Sequence, residues 1–292
     1  MSTPDTGAAP ATARLTVALT FDHDGIASEV RRGDGPTVVS RGEFGPRVGV
    51  GRILDLLARE GIASTWFVPG HTVETFPASV AAVVEAGHEL ACHGWLHEDL
   101  AALAPDAQRA VLERSVGALT RAGGGVAPVG FRAPYWSLGA ETLAIVESLG
   151  FAYDSSLMDD DTHLHRVRLG DTHDAAAGVS RLGVEGRLIE VPISWTLDDW
   201  PHFEPSTGAV GPMSAPSKVL EIWLEELRYA WQADGDGVLT VTMHPEAIGR
   251  GSRMRMLERF IAEAKALDGV VFDRLDRVVK RWIAARHGGL PG

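Results

Sequence analysis

From Arg14 onward, short runs rich in β-branched and aromatic residues alternate with longer stretches of helical pattern. The strand-like runs are residues 15–21, 64–68, 88–92, 129–132, 151–153, 188–193 and 238–243, with a last short one at 270–272. Helical patterns cover 46–60, 78–86, 105–121, 138–149, 217–231, 254–267 and 273–286. The first opens near Pro46 and stops at Gly61, the usual punctuation of a helix. A strand that hands over to a helix, time after time, is satisfied by parallel strands with helical crossovers. The pattern therefore predicts an α/β fold. With about seven such units and no linker of different composition, it predicts one barrel-like domain over 14–292. Residues 1–13 read as a flexible tail. The exception is 154–187, which has weak periodicity and reads as a long functional loop.

A parallel barrel puts the C-terminal ends of its strands on one face, where active sites lie. The residues able to do chemistry fall at those ends. Asp22 and Asp24 follow the first strand, His93 and His97 the third, Arg132 and Tyr135 the fourth, Asp154 the fifth, Trp195 the sixth and His244 the seventh. That convergence is the main argument for an enzyme.

In Asp22-His23-Asp24 the period of two lets the aspartates share a face while His23 points away. Two carboxylates so close need a cation or a proton between them. In His93-Gly94-Trp95-Leu96-His97, histidines at i and i+4 would lie on one face of a helical turn and bind one metal. Two histidines and one aspartate leave coordination positions open, the pattern of a catalytic metal. An arginine such as Arg132 beside the carboxylate pair would hold one carboxylate ionised and oriented. His244 could be a general acid. The single cysteine, Cys92, precludes an intrachain disulfide and reads as core.

In this order, Thr20-Phe21-Asp22-His23-Asp24-Gly25, His93-Gly94-Trp95-Leu96-His97, Arg132-Ala133-Pro134-Tyr135 and Leu239 to Pro245 resemble the polysaccharide deacetylase family. The resemblance implies a distorted (β/α) barrel and metal-dependent hydrolysis of a non-peptide C–N amide bond. It implies one divalent ion, Zn²⁺ first, with Mn, Co, Ni or Fe as alternatives. Carried over, Asp24, His93 and His97 are ligands, Asp22 is the base and Arg132 orients it. His244 would protonate the leaving nitrogen, and the Tyr135 backbone N–H would help hold the oxyanion. Trp136, Asp154 and Trp195 are candidates for the substrate pocket. The family's usual first motif has adjacent aspartates. Here His23 separates them, which leaves open which one is base and which is ligand.

Charge sharpens the choice of partner. Lys and Arg number 27 against 39 Asp and Glu, a net charge of −12. An acidic surface argues against nucleic acid and anionic membrane. The first residues carry no basic region followed by an apolar run, so the chain reads as cytoplasmic. A small-molecule or oligosaccharide substrate is expected, and a homo-oligomer is left open. Three functions compete: deacetylation of an N-acetyl sugar, ring opening of a cyclic imide or ureide by the same machinery, and a catalytically silent binding protein.

Overall fold

The computed structural model describes residues 13–204, 213–233 and 237–287. The expected tail, apart from Ala13, lies outside them.

Nine strands form the main sheet: β1 (Leu15–Asp22), β2 (Thr65–Val68), β3 (Glu89–Cys92), β4 (Gly130–Phe131), β5 (Tyr153–Asp154), β6 (His165–Leu169), β9 (Val184–Glu190), β10 (Gly237–Met243) and β11 (Val270–Phe272). Strands β7 (Thr172–Asp174) and β8 (Val179–Arg181) make a separate hairpin. The order is β10-β1-β2-β3-β4-β5-β9-β6, with β11 also paired to β1. Every pairing in the main sheet is parallel except β6 with β9. An isolated parallel bridge, Asp198 to Thr242, joins the segment after β9 to β10. The result is a distorted, partly open α/β half-barrel.

The expectation of a single loop over 154–187 is corrected. That segment holds β6, the β7–β8 hairpin and most of β9. β7 and β8 are three residues each and exposed throughout, so neither shows an in–out alternation. The hairpin links Leu169 to Val184, which pair with each other at the N-terminal end of β9. It therefore springs from the end of the sheet opposite the one that carries the site.

Strand β1 shows how the sequence aims side chains inward. Leu15, Val17, Leu19 and Phe21 belong to the core between sheet and helices. Ala18 belongs to an inner cluster with Phe67, Ala91, Tyr153 and Ile189, and that cluster includes Leu275, Val278 and Val279 of the C-terminal helix. Thr20 and Asp22 continue the row of Ala18, because successive strand side chains alternate. Both are buried.

Helices Pro36–Phe44 and Val50–Glu60 are joined by a π-helical segment, Gly45–Gly49, so the helix expected at 46–60 begins ten residues earlier. Its glycines allow close docking. A Cβ at Gly42 would lie 2.2 Å from the Gly25 carbonyl oxygen, and one at Gly49 would lie 2.1 Å from that of Pro245. The long helix thus presses on the segments that carry Asp24 and His244. Among the described residues no helix is long and apolar enough to cross a membrane.

Candidate active site

Asp22 ends β1 and Asp24 follows in the adjoining turn; both are buried. His23 points away, as alternation requires. Its Nε2 lies 2.9 Å from Ser79 Oγ, and its ring meets Trp66 edge-on. Burial lowers its pKa to about 4, against the pull of Asp24, so it is neutral near pH 7.

His93 and His97 meet the aspartates, but not through a helical turn. Gly94 and His97 take positive φ, 71° and 54°, so the segment is a tight loop. The Glu98 carboxylate holds it by accepting from the N–H groups of Trp95 and Leu96, at 3.0 and 2.9 Å. The i,i+4 spacing thus brought the rings together by a different route. His93 Nδ1 donates to the Arg132 carbonyl at 2.8 Å. That bond leaves Nε2 free to face the two aspartates.

His93 Nε2 lies 3.5 Å from Asp24 Oδ1, and His97 Nε2 lies 3.2 Å from Asp24 Oδ2. One ligand atom from each of the three residues lies within 4.8 Å of the other two. Asp24 Oδ1 is buried without a hydrogen-bond partner among the described residues. A buried carboxylate facing two imidazole nitrogens, with one of its oxygens unpartnered, is a donor set that fits a divalent cation. Burial opposes ionisation of Asp24. His97, its hydrogen bond and His93 nevertheless hold the carboxyl well below the usual range. Burial lowers the pKa of His93, which favours the neutral, ligating form.

Arg132, fully buried, binds Asp22 Oδ1 through Nη1 at 2.7 Å. The same nitrogen donates to Thr20 Oγ1 at 3.0 Å, while Nε and Nη2 donate to the carbonyl and hydroxyl of Ser155 at 3.0 and 2.9 Å. The guanidinium stacks on Phe67, 4.1 Å from the ring centroid. Asp22 Oδ2 is 3.8 Å from His93 Nε2, farther than Asp24 is from either histidine.

His244 follows β10. Its Nδ1 donates to Asp199 Oδ1 at 2.8 Å, and Asp198 lies 3.8 Å away. Burial works against the imidazolium, but the Asp199 bond and both carboxylates raise its pKa well above the ordinary value. Asp198, Asp199 and His244 are also close enough to hold a metal. Asp199 is instead occupied by the His244 backbone N–H, 3.1 Å from each carboxylate oxygen, as well as by the ring. This cluster is internally paired, which orients the His244 ring. The Trp200 ring packs on His244 with centroids 5.0 Å apart.

Tyr135 and Trp136 both have left-handed φ, 59° and 54°, which is uncommon for large side chains and frequent at functional sites. The Tyr135 ring packs edge-on against His97 at 4.3 Å. Its hydroxyl is bonded to Ser28 Oγ at 3.0 Å and accepts from Arg31 Nη2 at 2.8 Å. Trp136 and Trp195 pack at a tilt with centroids 4.1 Å apart, so these two pocket candidates do meet, and Trp195 is half exposed. Asp154 does not join them. It is fully buried and accepts from Ser156 Oγ at 2.7 Å.

Sequence reading missed Asp199, Ser155 and Glu190. Asp198-Asp199 did carry a signal, in the Trp- and Asp-rich segment 195–203 after a strand. Ser155 and Glu190 carried none.

Residues 10–153 match the family described as polysaccharide deacetylase. The chain is 33% identical over 271 residues to a peptidoglycan deacetylase of Helicobacter pylori, covering 88% of this chain and 92% of that one. A solved structure from Mycobacterium smegmatis, assigned to the polysaccharide deacetylases, superposes with a TM-score of 0.84 at 34% identity, covering 96% and 93% of the two chains. Puue allantoinase shares the fold, with a TM-score of 0.77 at 23% identity over 97% of this chain and 95% of that one. Fold, site and relatives together define a metal-dependent hydrolase acting on C–N bonds other than peptide bonds. The chain belongs to the polysaccharide deacetylase family.

Proposed function

We propose that the protein removes the acetyl group from an N-acetylated amino sugar of an oligosaccharide or polysaccharide, with Zn²⁺ held by Asp24, His93 and His97. One observation carries this reading. An Asp–His–His donor set with an unpartnered oxygen lies close to a carboxylate fixed by arginine and to an imidazole fixed by carboxylate. The ion, when bound, supplies Lewis-acid polarisation of the amide carbonyl and makes water more acidic. Asp22 accepts the proton of the attacking water, held at a set angle by Arg132. The Tyr135 backbone N–H is the donor we assign to the developing oxyanion, a contribution worth about 3–4 kcal/mol where such donors have been removed. His244, kept cationic by Asp199, gives its proton to the departing nitrogen. The half-exposed Trp136–Trp195 pair offers an apolar wall to a sugar ring.

A second reading, ring opening of a cyclic imide or ureide, is favoured by the burial of the reacting groups. Asp22, Asp24, His93, His97 and His244 are each at most 7% exposed, which suits a small planar substrate. The test is parallel assay of acetate release from N-acetylchito-oligosaccharides and of ring opening of succinimide and hydantoin. Acetate release with no ring opening supports the first reading. Ring opening alone overturns it in favour of the second.

A further inference from the structure

Asp154 and Glu190 stand opposite each other on the neighbouring parallel strands β5 and β9, and both are fully buried. Glu190 Oε1 accepts from the N–H groups of Ser156 and Leu157 at 3.0 and 2.9 Å. Asp154 Oδ1 accepts from Ser156 Oγ at 2.7 Å. The remaining oxygens, Asp154 Oδ2 and Glu190 Oε2, have no hydrogen-bond donor among the described residues. Two buried carboxyl groups facing each other in this way are satisfied by one proton shared between them. Burial raises both pKa values, that of Asp154 to about 6 and that of Glu190 well above its usual range.

What the pair fixes is the segment Ser155–Ser156 that follows β5, and that segment fixes Arg132. Ser155 takes two of the guanidinium's bonds, from Nε at 3.0 Å and from Nη2 at 2.9 Å. Ser156 Oγ accepts from the Ala133 N–H at 2.9 Å, directly after Arg132. The Ser155 N–H in turn donates to the Phe131 carbonyl at 3.0 Å. The plane of the Arg132 guanidinium, and so its approach to Asp22, is set by Ser155. Ser155 is set by its neighbour's bonds to the two acids.

We infer that Asp154 and Glu190 are a paired-carboxyl clamp that positions Arg132, and through it Asp22, for the hydrolytic step. The inference rests on the proposed roles of Arg132 and Asp22. Neither acid touches the substrate; both are positioning residues. A displacement of about 1 Å at a reacting group can cost on the order of a hundredfold in rate.

The geometry predicts an unusual mutational pattern. In Asp154→Asn the amide Nδ2–H replaces the shared proton, and Glu190 accepts it. In Glu190→Gln the amide Nε2–H does the same toward Asp154. Each single variant keeps the clamp. In the double variant two NH₂ groups face each other, neither can accept, and the clamp opens. The experiment measures kcat, KM and bound metal for the two singles and the double, on whichever of N-acetylchito-oligosaccharide or succinimide the wild-type protein turns over. The singles should lie within about threefold of wild type. The double should lose roughly 10- to 100-fold in kcat, with KM and metal content unchanged.

A readout that needs no turnover accompanies it. The Arg132 Nε–H resonance, assigned through Arg132→Lys, should stay protected from exchange in both singles and lose protection in the double. Wild-type kcat and protection in the double would overturn the clamp, as would loss of either in both singles. If no amide substrate is turned over, the proposed function fails while the exchange readout still decides the clamp.

Discussion

Asp22→Asn separates the two aspartates most sharply. The substitution removes a charge at a group 3% exposed, bonded at 2.7 Å to an arginine that is 0% exposed. Removing one partner of a buried ion pair costs about 3–5 kcal/mol, because the other charge is left uncompensated. Here the asparagine oxygen still accepts from Nη1, a bond worth about 1 kcal/mol. Arg132 also keeps Thr20 and Ser155. The expected loss of stability is therefore about 2–4 kcal/mol, read from denaturant unfolding. Catalysis should suffer more. Loss of a general base costs roughly 10²–10⁴ in rate. Metal content should not change, because Asp24 lies nearer than Asp22 to His93 and also pairs with His97. Asp24→Asn should instead lose metal together with activity. Metal analysis, turnover and circular dichroism on both variants decide the matter. If Asp22→Asn loses metal while Asp24→Asn retains it, the assignment is reversed. If Asp22→Asn is as stable as wild type, the energetic argument for the Arg132 pair is wrong.

Three further outcomes are expected. His93→Ala should lose most bound metal in a stoichiometric analysis, and unchanged content would remove it from the ligand set. Asp199→Asn should move the alkaline limb of kcat/KM. With His244 as the proposed acid, the active form is its imidazolium, present below the raised pKa and lost as pH rises through it. A charged hydrogen bond of about 1.5–3 kcal/mol corresponds to roughly 1–2 pH units, so the limb should shift down by that amount; an unmoved limb would show that His244 is not the acid. Gly49→Ala should destabilise the fold by about 1–3 kcal/mol and lower kcat, since its Cβ would meet the Pro245 carbonyl next to His244; a melt and a rate equal to wild type would count against close docking of that helix.

Much of the site was legible because it follows from local rules. The apolar, β-branched runs set the strands, and chain order along a parallel sheet put Asp22, His93, Arg132 and His244 at one end. The period of two placed Asp22 with Thr20 and Ala18 on the inner row, and turned His23 outward to Ser79. What local pattern could not supply was any contact set by register across the barrel. The loop of His93 and His97 depends on left-handed residues and on Glu98, and its spacing alone mimicked a helical turn. The exposed strands of the β7–β8 hairpin bury no face, so hydrophobic periodicity had nothing to report.

The sequence by itself determined which chemical groups are present and which end of the sheet they occupy, because side-chain alternation and strand–helix order act over a few residues. Only the tertiary structure decided which groups touch. Arg132 meets Asp22 across 110 residues, and His244 meets Asp199 across 45. Asp154, expected at the pocket, turned inward to face Glu190, because β5 pairs in parallel with β9 in a register that sets the two residues side by side. Pairing of distant strands fixes such contacts by backbone hydrogen bonding and packing, and neither leaves a trace in the neighbouring sequence.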